Sequence, residues 1–241
     1  MTPGQLADAI RRLRPTRIGF DTETEGCDPA EQSPVYRARL FCSSWALLRS
    51  KLSPLGYHVA SGFYAEGWEN TRIVLDAARE VGASLVAHNA AYDRHVLANE
   101  GLDTSGLGQW IDTLTLAQFL IPEAPRHNLK DLAERHLGRR PLGKYRELFS
   151  ARRKVPVARK IKNYCEACQA VVTVRKIVHP HPLTEAVVLR ATTRTVLVQP
   201  SEILKESRLY ELFQRYAIED AKMAIELYDW MRQNRAEGHA L

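Results

Sequence analysis

Cysteine is scarce in this chain: Cys27, Cys42, Cys165 and Cys168 are the only four in 241 residues. They are too few and too unevenly spaced to form the disulfide framework of a chain this long, so a reducing compartment is expected. No run approaches the 18 apolar residues of a membrane span. The first residues, MTPGQLADAIRRL, alternate apolar and charged positions at helical spacing instead of forming an apolar signal core. No membrane partner and no secretion are therefore expected. Internal repeats and low-complexity linkers are also missing, so residues 1–241 read as one domain.

What is present fits a globular protein. Apolar residues make up 45% and charged residues 26%, enough to bury a substantial core, which excludes a disordered tail protein. Lys and Arg number 34 against 28 Asp and Glu, a formal charge of +6 that favours an anionic partner. Residues 151–215 hold 13 Lys and Arg against 5 Asp and Glu, a surplus of eight, so the rest of the chain is slightly acidic.

Periodicity predicts a helix over 5–13, strands over 17–23, 39–48 and 56–64, then a helix over 70–81. The three strands follow one another with a turn at 53–56 and read as an antiparallel meander. A buried strand at 85–87 leads into a helix over 90–101, with further helices at 112–120 and 128–137. The last helix spans about 209–235. This order indicates a mixed sheet with helices packed on it. Residues 151–207 break the pattern. The stretch 151–169 is basic and turn-rich, and 170–178 and 186–198 read as two strands separated by His179-Pro180-His181-Pro182, so the segment looks like a basic insertion bearing a β-hairpin.

Three short segments place acids where geometry can use them. Asp21 and Glu23 are two apart on a strand and share one face. Asn89 and Asp93 are four apart on a helix, as are Tyr216 and Asp220. Each alone has an ordinary reading: a solvated turn, a helix cap, or a buried Tyr beside a surface Asp. Together they offer oxygen ligands from a strand and two helices, as a pair of hard divalent cations requires.

The segments FDTETEG, AHNAAYDRHVLANEGL and YAIEDAKMAIELY resemble the three motifs of the 3′–5′ exonucleases of the four-carboxylate, tyrosine-containing type, in particular the proofreading domain of family A DNA polymerases. IDTLTLAQFLIP and HNLKDLAERHLG resemble the family's connecting helices. The likeness covers about 16–148 and 208–232. It implies a ribonuclease H-like α/β fold, a mixed five-stranded sheet flanked by helices.

The resemblance also implies the chemistry. Two Mg²⁺ or Mn²⁺ ions would be held by Asp21, Glu23, Asp93 and Asp220. Asp21 would bridge them, Glu23 and Asp220 would complete the site of the attacking water, and Asp93 would hold the second ion through water. Tyr216 would orient or help deprotonate that water. Thr24 and Asn89 match positions that contact the terminal nucleotide, and Lys130 is a phosphate-contact candidate. Asp112 reads as a structural cap or a site contact, and His88 as a core residue. Arg152, Arg153 and Lys154, with Arg159, Lys160 and Lys162, are candidates for holding the phosphate backbone of the substrate; a solvated basic face is the plain alternative.

The activity expected is release of nucleoside 5′-monophosphates from single-stranded or frayed 3′ ends of DNA. No polymerase-like segment follows in this sequence, and 151–207 is longer than the loop that normally leads to the third motif. A stand-alone enzyme proofreading in trans for a separate polymerase is therefore expected, in the cytoplasm, at the nucleoid or in a host cell if viral. An RNA 3′-end trimming enzyme uses the same acids and remains the alternative. A nucleic-acid-binding module with an inactive nuclease core is the reading from another class. In the insertion, Cys165 and Cys168 are separated by two residues, with His179 and His181 at the far end of the following strand, a candidate structural Zn²⁺ site. A redox pair, or reduced thiols beside a Pro-His loop, are the other readings.

Overall fold

The computed structural model describes residues 1–25, 38–48, 58–65, 68–165, 167, 170–171, 184–198, 200–203, 205 and 207–236. The chain divides into two compact units: Met1–Gly143 with Gln199–Leu241, and Lys144–Val198.

The first unit opens with α1 (Pro3–Leu13). Thr2 and Gln5 form a reciprocal cap at its start, and Arg14 ends it in the left-handed conformation at φ 44°. Strands β1 (Arg17–Glu25), β2 (Arg39–Leu48) and β3 (His58–Ala65) form the expected antiparallel meander. Helix α2 (Trp68–Glu80) leads to β4 (Ser84–Ala87), which runs parallel to β1. Helix α3 (Ala90–Asn99) precedes β5 (Trp110–Asp112), parallel to β4. The sheet order is β3-β2-β1-β4-β5, a mixed five-stranded sheet with flanking helices. Helices α4 (Thr113–Leu120) and α5 (Leu129–Leu137) follow. Strand β5 is three half-buried residues, too short to show a period.

The two faces of β1 diverge in chemistry. Ile18 and Phe20 are fully buried in the core beneath α1 and α2, among Leu6, Ile10, Trp45, Val74, Leu75 and Leu85. The Phe20 ring meets Trp45 edge-on at 4.6 Å and Trp110 at 5.7 Å. The opposite face carries Gly19, Asp21 and Glu23 in alternation.

After the second unit and a short α7 (Pro200–Ile203), helix α8 (Ser207–Ala236) crosses this second face. Ala46, Val86, Ala221 and Ile225 form the seam. A Cβ on Gly19 would stand 2.3 Å from the Ala221 carbonyl oxygen and 2.9 Å from Ile225 Cγ2, so only glycine admits the helix this close. The Ser44 hydroxyl donates to the Ala217 carbonyl at 2.8 Å, fixing α8 on the neighbouring strand. Ala117, Ile121, Leu132, Leu227 and Met231 join α4, α5 and α8 in a second cluster. Among the described residues no helix is long and apolar enough to cross a membrane.

The second unit holds α6 (Tyr145–Leu148), β6 (Ser150–Cys165), β7 (Ala170–Val171) and β8 (Thr184–Leu197). It begins and ends earlier than the 151–207 expected from sequence. The stretch expected to be turn-rich is instead one 16-residue strand, pairing antiparallel with β8. Its apolar residues Val155, Val157 and Ile161 share one parity, but Arg153 and Arg159 fall on the same parity and Pro156 interrupts the run, so no clean two-residue period shows in the sequence. Proline is tolerated because, at that position, β6 pairs only with β8. Of the expected 170–178 strand, 170–171 pairs with β6, and the rest lies outside the described residues.

Candidate metal site

Asp21, Glu23 and Asp220 each offer a carboxylate oxygen, and all three lie within 4.8 Å of one another. The two-residue period of β1 places the first pair, and the close approach of α8 over Gly19 delivers the third. The strand register shifts between Glu23 and Thr24, a bulge that ends the alternation just past the acids. One turn before Asp220, Tyr216 is buried, its ring stacked on Phe213 at 6.4 Å.

Asp93 stands apart from this trio. It is buried in the first turn of α3, where its Oδ1 accepts from the Thr22 amide at 3.1 Å and the Thr22 hydroxyl at 2.6 Å. Its charge still reaches Asp21.

Crowding and burial push every acid toward its neutral form. Asp21 is raised well above the usual carboxylate range, first by loss of water and then by Glu23, Asp93 and Asp220. Glu23 is raised to about 8 by burial and then by Asp220. Asp93 is raised to about 7 by burial, opposed by its bonds from Thr22. Asp220 is raised by burial and held back by Lys130. Burial and the three neighbouring acids also raise the Tyr216 phenol, which keeps it protonated.

Lys130 supplies the opposing charge. The Asn128 side chain caps α5 by accepting from the Asp131 amide, which sets Lys130 in the first turn. Its Nζ donates to Asp220 Oδ2 at 3.1 Å and lies 3.7 Å from the Tyr216 ring centroid. The sequence marked Lys130 as a phosphate contact; here the ammonium neutralises an acid. Asp220 Oδ1 is fully enclosed and accepts no hydrogen bond among the described residues. An orphaned buried oxygen beside two further carboxylates, already drawing one cation, is a donor set suited to a hard divalent ion.

The remaining candidates fall into three groups. Thr24 Oγ1 lies 2.6 Å from the Tyr92 hydroxyl, and Asn89, exposed, sits before α3 in the left-handed conformation at φ 71°. Asn adopts this conformation more readily than other non-glycine residues. Asp112 caps α4: its Oδ1 accepts from the Leu114 and Asn89 amides, both at 2.9 Å. His88 is held at both ring nitrogens, 2.9 Å from Thr113 Oγ1 and 2.8 Å from the His127 carbonyl. Burial lowers its pKa to about 4, fitting a neutral core residue. Arg152, Arg153 and Lys154 lie on β6 of the second unit, and Cys165 ends that strand. Cys168, His179 and His181 lie outside the described residues.

Thr22, Tyr92 and Ser44 went unnoticed in the sequence. Thr22 carried one signal, a polar residue on the core-facing side of β1. Ser44 carried another, a polar residue in a strand with no water to face.

A family model described as 3′–5′ exonuclease, DNA_pol_A_exo1, matches residues 1–178. That span includes Asp21, Glu23 and Asp93 and stops before α8. No curated protein matches the chain. Among solved structures, one titled "POL domain of Pol1 from M. smegmatis complex with DNA primer-template and dNTP" superposes with a TM-score of 0.53 at 14% identity. The match covers 98% of this chain and 27% of that one, so the chain spans about a quarter of its neighbour and shares its fold. The chain belongs to the DNA_pol_A_exo1 family of 3′–5′ exonucleases.

Proposed function

We propose that this protein is a metal-dependent exonuclease that hydrolyses DNA phosphodiesters from the 3′ end and releases nucleoside 5′-monophosphates. The observation that carries this reading is the convergence of Asp21, Glu23 and Asp220 around a buried, unsatisfied Asp220 oxygen, one helical turn from Tyr216. Asp21, Glu23 and Asp220 would hold one Mg²⁺ or Mn²⁺, and Asp93, whose Oδ1 accepts from Thr22, would serve a second ion. Two such ions would supply a hydroxide-like nucleophile at neutral pH and offset charge on the leaving 3′ oxygen.

The chain's own residues do the rest. Tyr216 stays a phenol, so its hydroxyl orients the attacking water and does not serve as the base. Lys130 neutralises Asp220, and with divalent ions held by the acids its ammonium would be available to the incoming phosphate. Thr24 and Asn89 position the terminal nucleotide. The setting that suits this activity is proofreading for a separate polymerase.

The test uses end-labelled single-stranded DNA and RNA of one sequence, with chelator, Mg²⁺ or Mn²⁺. Stepwise shortening of DNA from the 3′ end with metal is expected, and none in chelator. Asp21→Ala should lose on the order of 1000-fold, about 4 kcal/mol of transition-state stabilisation. Tyr216→Phe should lose about 100-fold in turnover with affinity retained. Preferential shortening of RNA would replace the substrate; shortening by Asp21→Ala at a tenth of the wild-type rate would overturn the site.

A further inference from the structure

Strand β4 pairs with β1 only over Arg17, Ile18 and Gly19, while β2 pairs on the other side as far as Glu25. Beyond Gly19, β1 therefore lacks a strand on the β4 side among the described residues. A buried amide left there without an acceptor is costly. The Thr22 amide takes its acceptor from a side chain instead of a strand. Asp93, in the first turn of the helix that follows β4, accepts it through Oδ1 at 3.1 Å.

The Thr22 hydroxyl donates to the same oxygen at 2.6 Å, the short range of a bond to a charged acceptor. Both residues are buried. The torsion that turns an aspartate's carboxylate plane is broad and nearly two-fold, so nothing within Asp93 itself distinguishes its two oxygens. A single donor lets that plane swing about one bond, and two donors converging on Oδ1 restrain it. They commit Oδ1 to the protein, and Oδ2 would be the oxygen left for an ion.

Thr22 stands between Asp21 and Glu23 in β1 and on the opposite face of the strand. One short stretch thus presents two acids to the first ion and holds, from its other side, the acid assigned to the second. The Asp93 charge is felt at both Asp21 and Glu23, which places its carboxylate in reach of their cluster. Groups that hydrogen-bond a metal's ligands orient those ligands, and their loss typically costs about 10–100-fold in metal affinity.

We propose that Thr22 is a positioning residue for the second cation: its hydroxyl, acting with its own amide, orients Asp93 through Oδ1 and so sets how tightly that ion is held. This deepens the reading of a two-ion site and rests on it.

The experiment counts Mn²⁺ bound to the full chain from the electron paramagnetic resonance signal of the free ion, with thymidine 5′-monophosphate present. Wild type should bind two ions. Thr22→Val, which keeps the shape and the amide but not the hydroxyl, should weaken one ion by about 10–100-fold and leave the other within about twofold. Thr22→Ala, with no second methyl to place against Asp93, should show the same loss. Thr22→Ser should restore the affinity to within about threefold. In DNA shortening, the Mn²⁺ concentration giving half-maximal rate should rise by the same factor in Thr22→Val, while the rate at saturating Mn²⁺ is recovered.

A general loosening of β1 would instead weaken both ions together or lower the saturated rate, and either result overturns the proposal. So do unchanged affinities in Thr22→Val and Thr22→Ala, a loss confined to Thr22→Val, or a Thr22→Ser variant as weak as Thr22→Val. Circular dichroism of the three variants should match wild type; loss of fold in both Thr22→Val and Thr22→Ala would make the hydroxyl a folding contact and overturn the positioning role. A wild type that binds a single ion removes the two-ion site and this role with it. A wild type that binds two ions but shortens no DNA removes the exonuclease reading alone, because ion binding is counted without DNA.

Discussion

Replacing Glu23 with its neutral isostere should make the metal-free protein more stable. In the fold the carboxyl is raised from 4.5 to about 8, by burial first and Asp220 second. A folded value above the unfolded one means the native state binds the proton more tightly. The group therefore adds stability fully below pH 4.5 and loses it as pH rises through 8. At pH 7.5 the displacement is equivalent to about 4 kcal/mol against the folded state. Glu23 is half-buried, and water screening reduces this to about 2 kcal/mol. For a chain of this size Glu23→Gln should raise Tm in chelator by about 4–8 °C at pH 7.5. At pH 5 the gap should close, because wild-type Glu23 is then protonated in the fold. Metal should reverse the order: wild type gains about 3 kcal/mol at a hundredfold excess over Kd, and the variant, short of one ligand, gains less. Differential scanning fluorimetry over pH 5–8.5, with chelator and with Mn²⁺, reads all of this. A variant no more stable than wild type in chelator at pH 7.5, or a gap unchanged at pH 5, would refute the repulsion argument.

Other outcomes follow from neighbouring contacts. Lys130→Met strips Asp220 of its counter-ion and should lower stability in chelator by about 2–4 kcal/mol, with the deficit shrinking once Mn²⁺ saturates the acids; paired melts check it. Gly19→Ala forces α8 off β1, costing about 1–3 kcal/mol, and should weaken Mn²⁺ binding in calorimetry by moving Asp220 relative to Asp21. If Cys165 and Cys168 grip zinc, elemental analysis should find about one zinc per chain, lost in the Cys165→Ser/Cys168→Ser variant; below about 0.2 the site is discarded.

Much of the first unit was legible because its signals are local. The alternation through Ile18, Phe20 and Thr22 fixed β1 and its two faces, and the apolar period of α8 announced a long packed helix. The acids could be grouped because Asp21 and Glu23 share a strand face and Tyr216 and Asp220 share a helix face. What stayed hidden depends on contacts across the chain. Nothing near Lys130 announces that its ammonium meets an acid 90 positions away, nor does Thr22 reveal that it ties Asp93. The strand at 150–165 was lost to a density of Arg, Lys and Pro that resembles a solvated loop. Its partner, 184–197, has the β-branched runs that a propensity argument needs.

The base of the second unit is closed on itself: the Tyr145 hydroxyl donates to the Val198 carbonyl at 2.7 Å, and the Val198 amide to the Phe149 carbonyl at 2.8 Å. The chain thus enters and leaves this unit at one stem, and the reach of the ribbon beyond it is set by strand length alone. Two residues added to each strand extend it by about 7 Å and leave every cation on its original side. One residue added to each strand extends it by half as much and carries the cations beyond the addition to the opposite side. Reach in this unit therefore changes in phase with its charge only in steps of two, a quantised ruler whose unit is the pleat of the sheet.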